Sequence, residues 1–245
     1  MSGIHFILRS SFVAPFPVGS QWAVMATGCF WGSEKAFWRL PGVHSTAVVY
    51  AGGAKVSPTY EEVCSGTSGH AEGVLVVWDP LRISFSDLLT MFWTSHDPTQ
   101  GDRQGNDRGS QYRSAIYVAN DDYAAVAQAS AAAYAAALGR PTTTEIKSVG
   151  HELAADRDYY LAEDYHQQYL AKPGARMYCS AQPTGVALPA AAEWMPSVSD
   201  ANAAALPMLD AAFWKKHQHQ KGVCNIGAPD TPIAPPAAKF DLGSL

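Results

Sequence analysis

The chain carries four cysteines, Cys29, Cys64, Cys179 and Cys224. They are widely spaced and form no C-x-x-C zinc or thioredoxin pattern. In a chain too large to need staples, such spacing fits catalytic or redox thiols better than structural disulfides. Cys29 has the most telling surroundings. In "ATGCFWGSEKAFWRL" (26–40) it stands between Gly28 and two large aromatics, Phe30 and Trp31, where a helix begins. An inert buried cysteine is the plainer reading of any single thiol. A thiol at a helix N-terminus, however, faces unpaired N–H groups and the positive end of the helix dipole. Those groups favour thiolate, so the sulfur is expected to be nucleophilic near neutral pH. Phe30 and Trp31 are adjacent and cannot share one helix face, which leaves at least one free to line a pocket.

The stretch "PTYEEVCSGTSGHAEGV" (58–74) is dense in Gly, Ser and Thr and then enters an apolar strand through Glu72. A carboxyl in an apolar site has its pKa raised and can serve as a neutral acid; a solvated loop-end glutamate is an equal alternative on this segment alone. Tyr60 can donate a hydrogen bond. Cys64, in the short helical turn "YEEVC", is expected to be a packed structural thiol, and His70 a loop hydrogen-bonder. The polar loop "HDPTQGDRQGNDRGSQYRSAIY" (96–117) offers Asp107, Arg108, Gln111 and Tyr112. Long loops of this kind inside a compact domain are usually functional. "AEDYHQQYL" (162–170) places Tyr165, His166 and Tyr169 on an expected helix. His217, His219 and Cys224 match no firm zinc spacing, so no metal site is expected.

These residues need elements to position them. "WAVMAT" (22–27) reads as a buried strand, and "FWGSEKAFWRL" as a helix stopped by Pro41-Gly42. Strands are expected at 45–53, 73–79, 112–120 and 142–149. The spacing of Phe85, Leu88, Leu89, Phe92 and Trp93 predicts a helix over 84–96, with Ser84 and Asp87 as its capping end. The alanine-rich run 121–139 predicts a second long helix ending at Gly139, and 157–170 a further short one. Interleaved helices and strands with helices on one side give a two-layer α/β sandwich. No G-x-G-x-x-G or P-loop occurs, so no nucleotide site is indicated.

Composition sets the limits. With 47% hydrophobic and 16% charged residues, the bulk of the 245-residue chain is expected to be globular. A net charge of -5 with no Lys/Arg run argues against nucleic acid as partner. No apolar run is long enough to span a bilayer, so no membrane is expected. Residues 1–20 have no acid, one Arg and an apolar run too short for a secretory signal. They read as a disordered leader, with organelle targeting left open. The catalytic domain is expected at 21–180. Residues 181–245 read as a long, largely irregular C-terminal tail, because Pro and Ala concentrate there and charge falls.

Taken in order, "GCFWGSEKAF", "GVHSTAVVYAGG", "PTYEEVCSGTSGHAEGVLVVWDP", "FWTSHDPTQGDRQGNDRGSQYRSAIY" and "AEDYHQQYL" strongly resemble the A-type peptide methionine sulfoxide reductases. The resemblance covers about residues 22–180 and implies an α+β, ferredoxin-like fold. It implies thiol-dependent reduction of the S epimer of methionine sulfoxide, free or in proteins; each epimer has its own enzyme class. Cys29 matches the nucleophile, which becomes a sulfenic acid. Phe30 and Trp31 match a pocket for the substrate's terminal methyl group. Glu72 matches the acid that protonates the sulfoxide oxygen. Tyr60 and Tyr112 match hydrogen-bond donors to that oxygen, and Asp107 a carboxylate that binds the substrate backbone. The role implied is protein repair under oxidative stress.

Cys179, in "MYCS", matches the resolving cysteine. Many members carry a recycling cysteine in a following "GVCLP"-like stretch, where this chain has "GVALP" with Ala187. Cys224, in "KGVCNIG", is the candidate replacement. The relay expected runs Cys29–Cys179, then Cys179–Cys224, then reduction by thioredoxin, with dithiothreitol able to substitute in vitro; an idle tail thiol at Cys224 is an equal alternative. No bound cofactor is implied, and a cytoplasmic monomer is expected. Two other readings explain fewer residues. One is a cysteine hydrolase in which His70 or His166 activates Cys29; the other is a metal-binding tail using His217, His219 and Cys224.

Overall fold

A computed structural model describes residues 3–150, 158–195, 207–219, 222 and 225–236. Strand β1 (Gln21–Thr27) leads to helix α1 (Phe30–Trp38), then β2 (Val43–Ala51), the short α2 (Tyr60–Cys64) and β3 (Ala71–Trp78). Helix α3 (Phe85–Ser95), a two-residue hairpin of β4 (Arg103–Gln104) and β5 (Asp107–Arg108), and β6 (Ser114–Val118) follow. Helix α4 (Asp121–Leu138), β7 (Glu145–Ser148) and β8 (Tyr159–Leu161) complete the domain. The six-stranded sheet has the order β7-β6-β1-β3-β2-β8, antiparallel except for the parallel β6–β7 pair.

The strand alternation assigns every side chain to a face. Ala23, Met25, Val48, Tyr50, Val74, Val76 and Trp78 join α1, α3 and α4 in one core. Trp22, Val24, Ala47, Val49, Leu75 and Val77 form a second cluster on the opposite face. Ser84 and Asp87 form a reciprocal capping box on α3, as their spacing predicts. Gly139 ends α4 at φ 74, a left-handed conformation suited to glycine.

The helix expected over 157–170 is not found among the described residues. Tyr159–Leu161 instead adds an edge strand to β2, with Tyr50 paired to Tyr160. Gln167 then uses its side-chain amide to bond the Val48 backbone, at 2.9 Å for both N–H and carbonyl. Gln168 adopts φ 47, which breaks any helix at that point. Tertiary hydrogen bonds here override local helix propensity.

Residues 3–20, whose composition suggests a disordered leader, lie against the domain. Phe12 joins the second cluster, and the buried His5 bonds Thr46 Oγ1 through Nε2 at 2.9 Å. The described parts of the tail also pack closely. Helices α5 (Ala191–Trp194) and α6 (Ala211–His217) flank residues 196–206, which lie outside the described residues. Leu188, Leu209, Phe213 and Trp214 are buried in the helix-side core. The amides of Met208 and Leu209 donate to the Asp87 carboxylate at 2.9 and 3.2 Å. Lys35 of α1, 3% exposed, pairs with Asp230 at 2.7 Å. Among the described residues, no helix is long and apolar enough to cross a membrane.

Candidate active site

Cys29 is the N-cap of α1, as its position in the sequence predicts. Gly28 holds the turn that presents it: φ is 99, and a Cβ there would approach Gln104 to 2.7 Å. The thiol lies near the Trp31 and Gly32 amides, which favour the thiolate. They do not prevail. Burial and then the neighbouring Glu72 push the Cys29 thiol well above its ordinary range. At rest the sulfur therefore holds its proton, which corrects the expectation that the helix terminus alone makes it a thiolate. Desolvation in this pocket exceeds the benefit of a terminus with two free amides.

Glu72 sits in β3 in phase with Val74 and Val76, on the helix-packed face. It is 2% exposed and accepts the Phe30 amide at 3.1 Å. Burial first, then Asp107, raises its carboxyl to about 8, against the opposing pull of the Phe30 hydrogen bond. At neutral pH it is a carboxylic acid with a proton to give.

A cavity of about 290 Å3 opens over these two groups. Cys29, Phe30, Trp31 and Glu72 line it together with Tyr60, Asp107 and Tyr112. Four separate segments thus bring together the seven residues that the sequence assigns to catalysis and substrate binding. Phe30 is buried, while Trp31 is half-buried and stacks on Tyr169 with ring centroids 4.0 Å apart. The Trp31 indole N–H donates to His166 Nδ1 at 3.1 Å. The Tyr60 backbone N–H donates to Glu163 Oε1 at 3.2 Å, which holds that wall. Burial keeps the Tyr60 and Tyr112 hydroxyls protonated far above neutral pH. Asp107 accepts the Tyr178 hydroxyl at 2.6 Å and also the Ser180 hydroxyl.

Two lining residues, Arg176 and Tyr178, were missed by sequence reasoning. Their only signal was proximity to Cys179. Arg108 is exposed, and Gln111 supports the loop by donating to the Cys64 carbonyl at 3.2 Å. Cys64 is an exposed free thiol rather than the packed one expected, because α2 presents its last residue to solvent; its side chain hydrogen-bonds Tyr60. Cys29 is also free, whereas Cys179 is disulfide-bonded. Cys224 lies outside the described residues.

His70 and His166 are both engaged elsewhere than at Cys29. His70 accepts the Gly53 amide on Nδ1 at 3.1 Å and bonds the Lys55 carbonyl through Nε2 at 2.7 Å. His166 is in a turn, engaged with the Trp31 indole, and burial lowers its pKa to about 4. Neither is bonded to Cys29, so the hydrolase reading has no base. Among the described residues, no group of three or more His, Cys, Asp or Glu could hold a metal ion. A larger cavity of about 540 Å3, between α3 and the tail, is lined by Leu188, Trp194, Met208 and Trp214 but by no cysteine.

Residues 21–194 match the peptide methionine sulfoxide reductase family. A Salinispora arenicola protein named peptide methionine sulfoxide reductase MsrA is 52% identical over 188 residues, 76% of this chain and 83% of its own. An Azorhizobium caulinodans protein of the same name is 53% identical over 191 residues, 76% and 84% of the two chains. The solved methionine sulfoxide reductase A of Corynebacterium diphtheriae is 41% identical, with TM-score 0.61 over 79% of this chain and 89% of that one. With that match spanning the whole sheet and the cavity above Cys29, the chain belongs to the peptide methionine sulfoxide reductase family of oxidoreductases.

Proposed function

We propose that the chain reduces the S epimer of methionine sulfoxide, free or in proteins, with Cys29 as nucleophile. The observation that carries this is the cavity in which the Cys29 thiol and a neutral Glu72 carboxyl face the same small space. Phe30 and Trp31 hold the substrate methyl group. Tyr60 and Tyr112 donate to the sulfoxide oxygen, and Asp107 receives the substrate's backbone N–H. Glu72 gives its proton to the oxygen and takes up the Cys29 thiol proton as the Cys29 sulfur bonds to the substrate sulfur. Oxygen then passes to Cys29 and methionine leaves: thiol plus sulfoxide gives sulfenic acid plus sulfide, with no other oxidant or reductant.

Cys179 condenses with the sulfenic acid, releasing water and forming a Cys29–Cys179 disulfide. Cys224 then exchanges onto Cys179 and frees Cys29. A thioredoxin dithiol, or dithiothreitol in vitro, reduces the last disulfide. Support comes from Cys179 being disulfide-bonded while Cys29 and Cys64 are free.

The four central strands β6-β1-β3-β2, with α1 and α3 in the crossovers, support a ferredoxin-like description. We place the catalytic domain at 21–180, with 181–245 as the extension that carries the recycling cysteine. The protein is read as a cytoplasmic monomer with no bound cofactor, acting in protein repair. Separate S and R epimers supplied with dithiothreitol test the activity. Methionine from S alone supports it; methionine from R, or from neither, overturns it.

A further inference from the structure

We propose that Arg176 is a carboxylate-binding residue at the mouth of the sulfoxide cavity and biases the enzyme toward substrates with a carboxylate beside the sulfoxide. The inference rests on reading that cavity as the sulfoxide site.

Arg176 lines the same cavity as Cys29 and Glu72. Its place is fixed from both sides. Its backbone N–H donates to the Tyr169 hydroxyl at 3.0 Å, and Tyr169 stacks on Trp31. Its guanidinium lies over the Tyr178 ring, 5.4 Å from the centroid, and Tyr178 is tied by its hydroxyl to Asp107. The segment 176–178 therefore bridges the Trp31 wall and the Asp107 wall.

The guanidinium is held by an aromatic face and by no carboxylate among the described residues. Cation–π contact positions it while leaving its planar N–H donors open. Neither acidic side chain of the cavity pairs with Arg176. Glu72 takes the Phe30 amide, and Asp107 takes the Tyr178 and Ser180 hydroxyls. A fork of donors with no partner among the described residues, at the entrance of a cavity of about 290 Å3, suits an anion carried by the substrate itself. Asp107 and Arg176 present opposite charges at one rim, which complements the ammonium and carboxylate of a free amino acid. An acidic side chain next to an oxidised methionine in a peptide would present the same carboxylate chemistry.

The test compares kcat/KM for wild type, Arg176→Gln and Arg176→Lys, with dithiothreitol so that recycling does not limit. The substrates are free L-methionine S-sulfoxide, its N-acetyl N-methylamide, and two end-blocked peptides with Glu or Gln after the sulfoxide. The proposal expects Arg176→Gln to lose about tenfold more on a carboxylate substrate than on its uncharged counterpart, mainly through KM. Arg176→Lys should recover part of the difference, and added salt should shrink it. A selective loss on the free amino acid assigns the α-carboxylate, and one on the Glu peptide assigns the side chain. Equal losses on charged and uncharged substrates, or no loss on any, overturn the proposal. Lack of turnover by wild type on every substrate would instead overturn the reading of the cavity.

Discussion

The Phe30 amide, one residue beyond Cys29, donates to the Glu72 carboxyl group at 3.1 Å, tying the start of α1 to the middle of the sheet. The bond holds the acid in the cavity that Cys29 lines, where Glu72 adds to burial in disfavouring the thiolate. Glu72→Gln keeps an oxygen to accept from Phe30 but removes the negative charge. Its Cys29 thiol pKa should fall, read as a shift to lower pH in the alkylation rate of the Cys29 peptide by mass spectrometry. Turnover should nevertheless drop by roughly 10²-fold or more, because the proton donor is gone. A variant with an unchanged thiol titration would show that Glu72 does not set it.

Stability should pass through a maximum near pH 6.5. Burial lowers His5 to about 3 and His96, His166 and His219 to about 4. Their unfolded forms bind more protons below 6.5, so stability falls as pH drops toward 4. Burial raises Glu34 to about 7 and Glu72 to about 8, so the folded chain holds protons that the unfolded chain has lost. Between about 6.5 and 8 the carboxylates dominate and stability falls as pH rises. Glu34→Gln should be less stable near neutral pH, since Gln168 and Thr46 donate to both carboxylate oxygens. Its decline from 6.5 to 8 should nonetheless be shallower in denaturant titrations. An equally steep decline would remove Glu34 from this account.

The buried end of the Lys35–Asp230 pair makes a separate prediction. Asp230→Ala leaves a nearly buried ammonium without its carboxylate. Because Asp230 is 41% exposed, the loss should be about 1–2 kcal/mol rather than that of a fully buried pair. Replacing both residues with apolar ones should cost less than the sum of the single changes. Additivity in a double-mutant cycle would show no coupling.

The relay can be counted. Pre-reduced chain given excess S-sulfoxide and no reductant should release about two methionines per chain, since exchange onto Cys224 frees Cys29 for a second turnover. Cys224→Ser should release about one, and its thioredoxin-driven rate should fall relative to its dithiothreitol-driven rate. One methionine from both proteins would mean that Cys224 is idle.

Much of the site was legible because it depends on local rules. Alternation puts Glu72 in phase with Val74 and Val76, and a glycine before an aromatic helix start marks Cys29. Other features depend on partners far along the chain. Tyr159–Leu161 is a strand only because the β2 edge is there to pair with it. Glu34 reads as an ordinary helix glutamate until Gln168, 134 positions away, supplies two of its hydrogen bonds. Proline and alanine made the tail look unpacked, but Leu188, Leu209, Phe213 and Trp214 find a surface on the domain. Arg176 matters only once the turn at 164–168 brings its segment over the cavity.

Whether Cys29 is the nucleophile is decided by single-turnover release of methionine from pre-reduced wild type and Cys29→Ser, without added reductant. Wild type should release at least one methionine per chain, with Cys29 recovered in a disulfide or as sulfenic acid, and Cys29→Ser none. Methionine released by a folded Cys29→Ser protein would contradict that role.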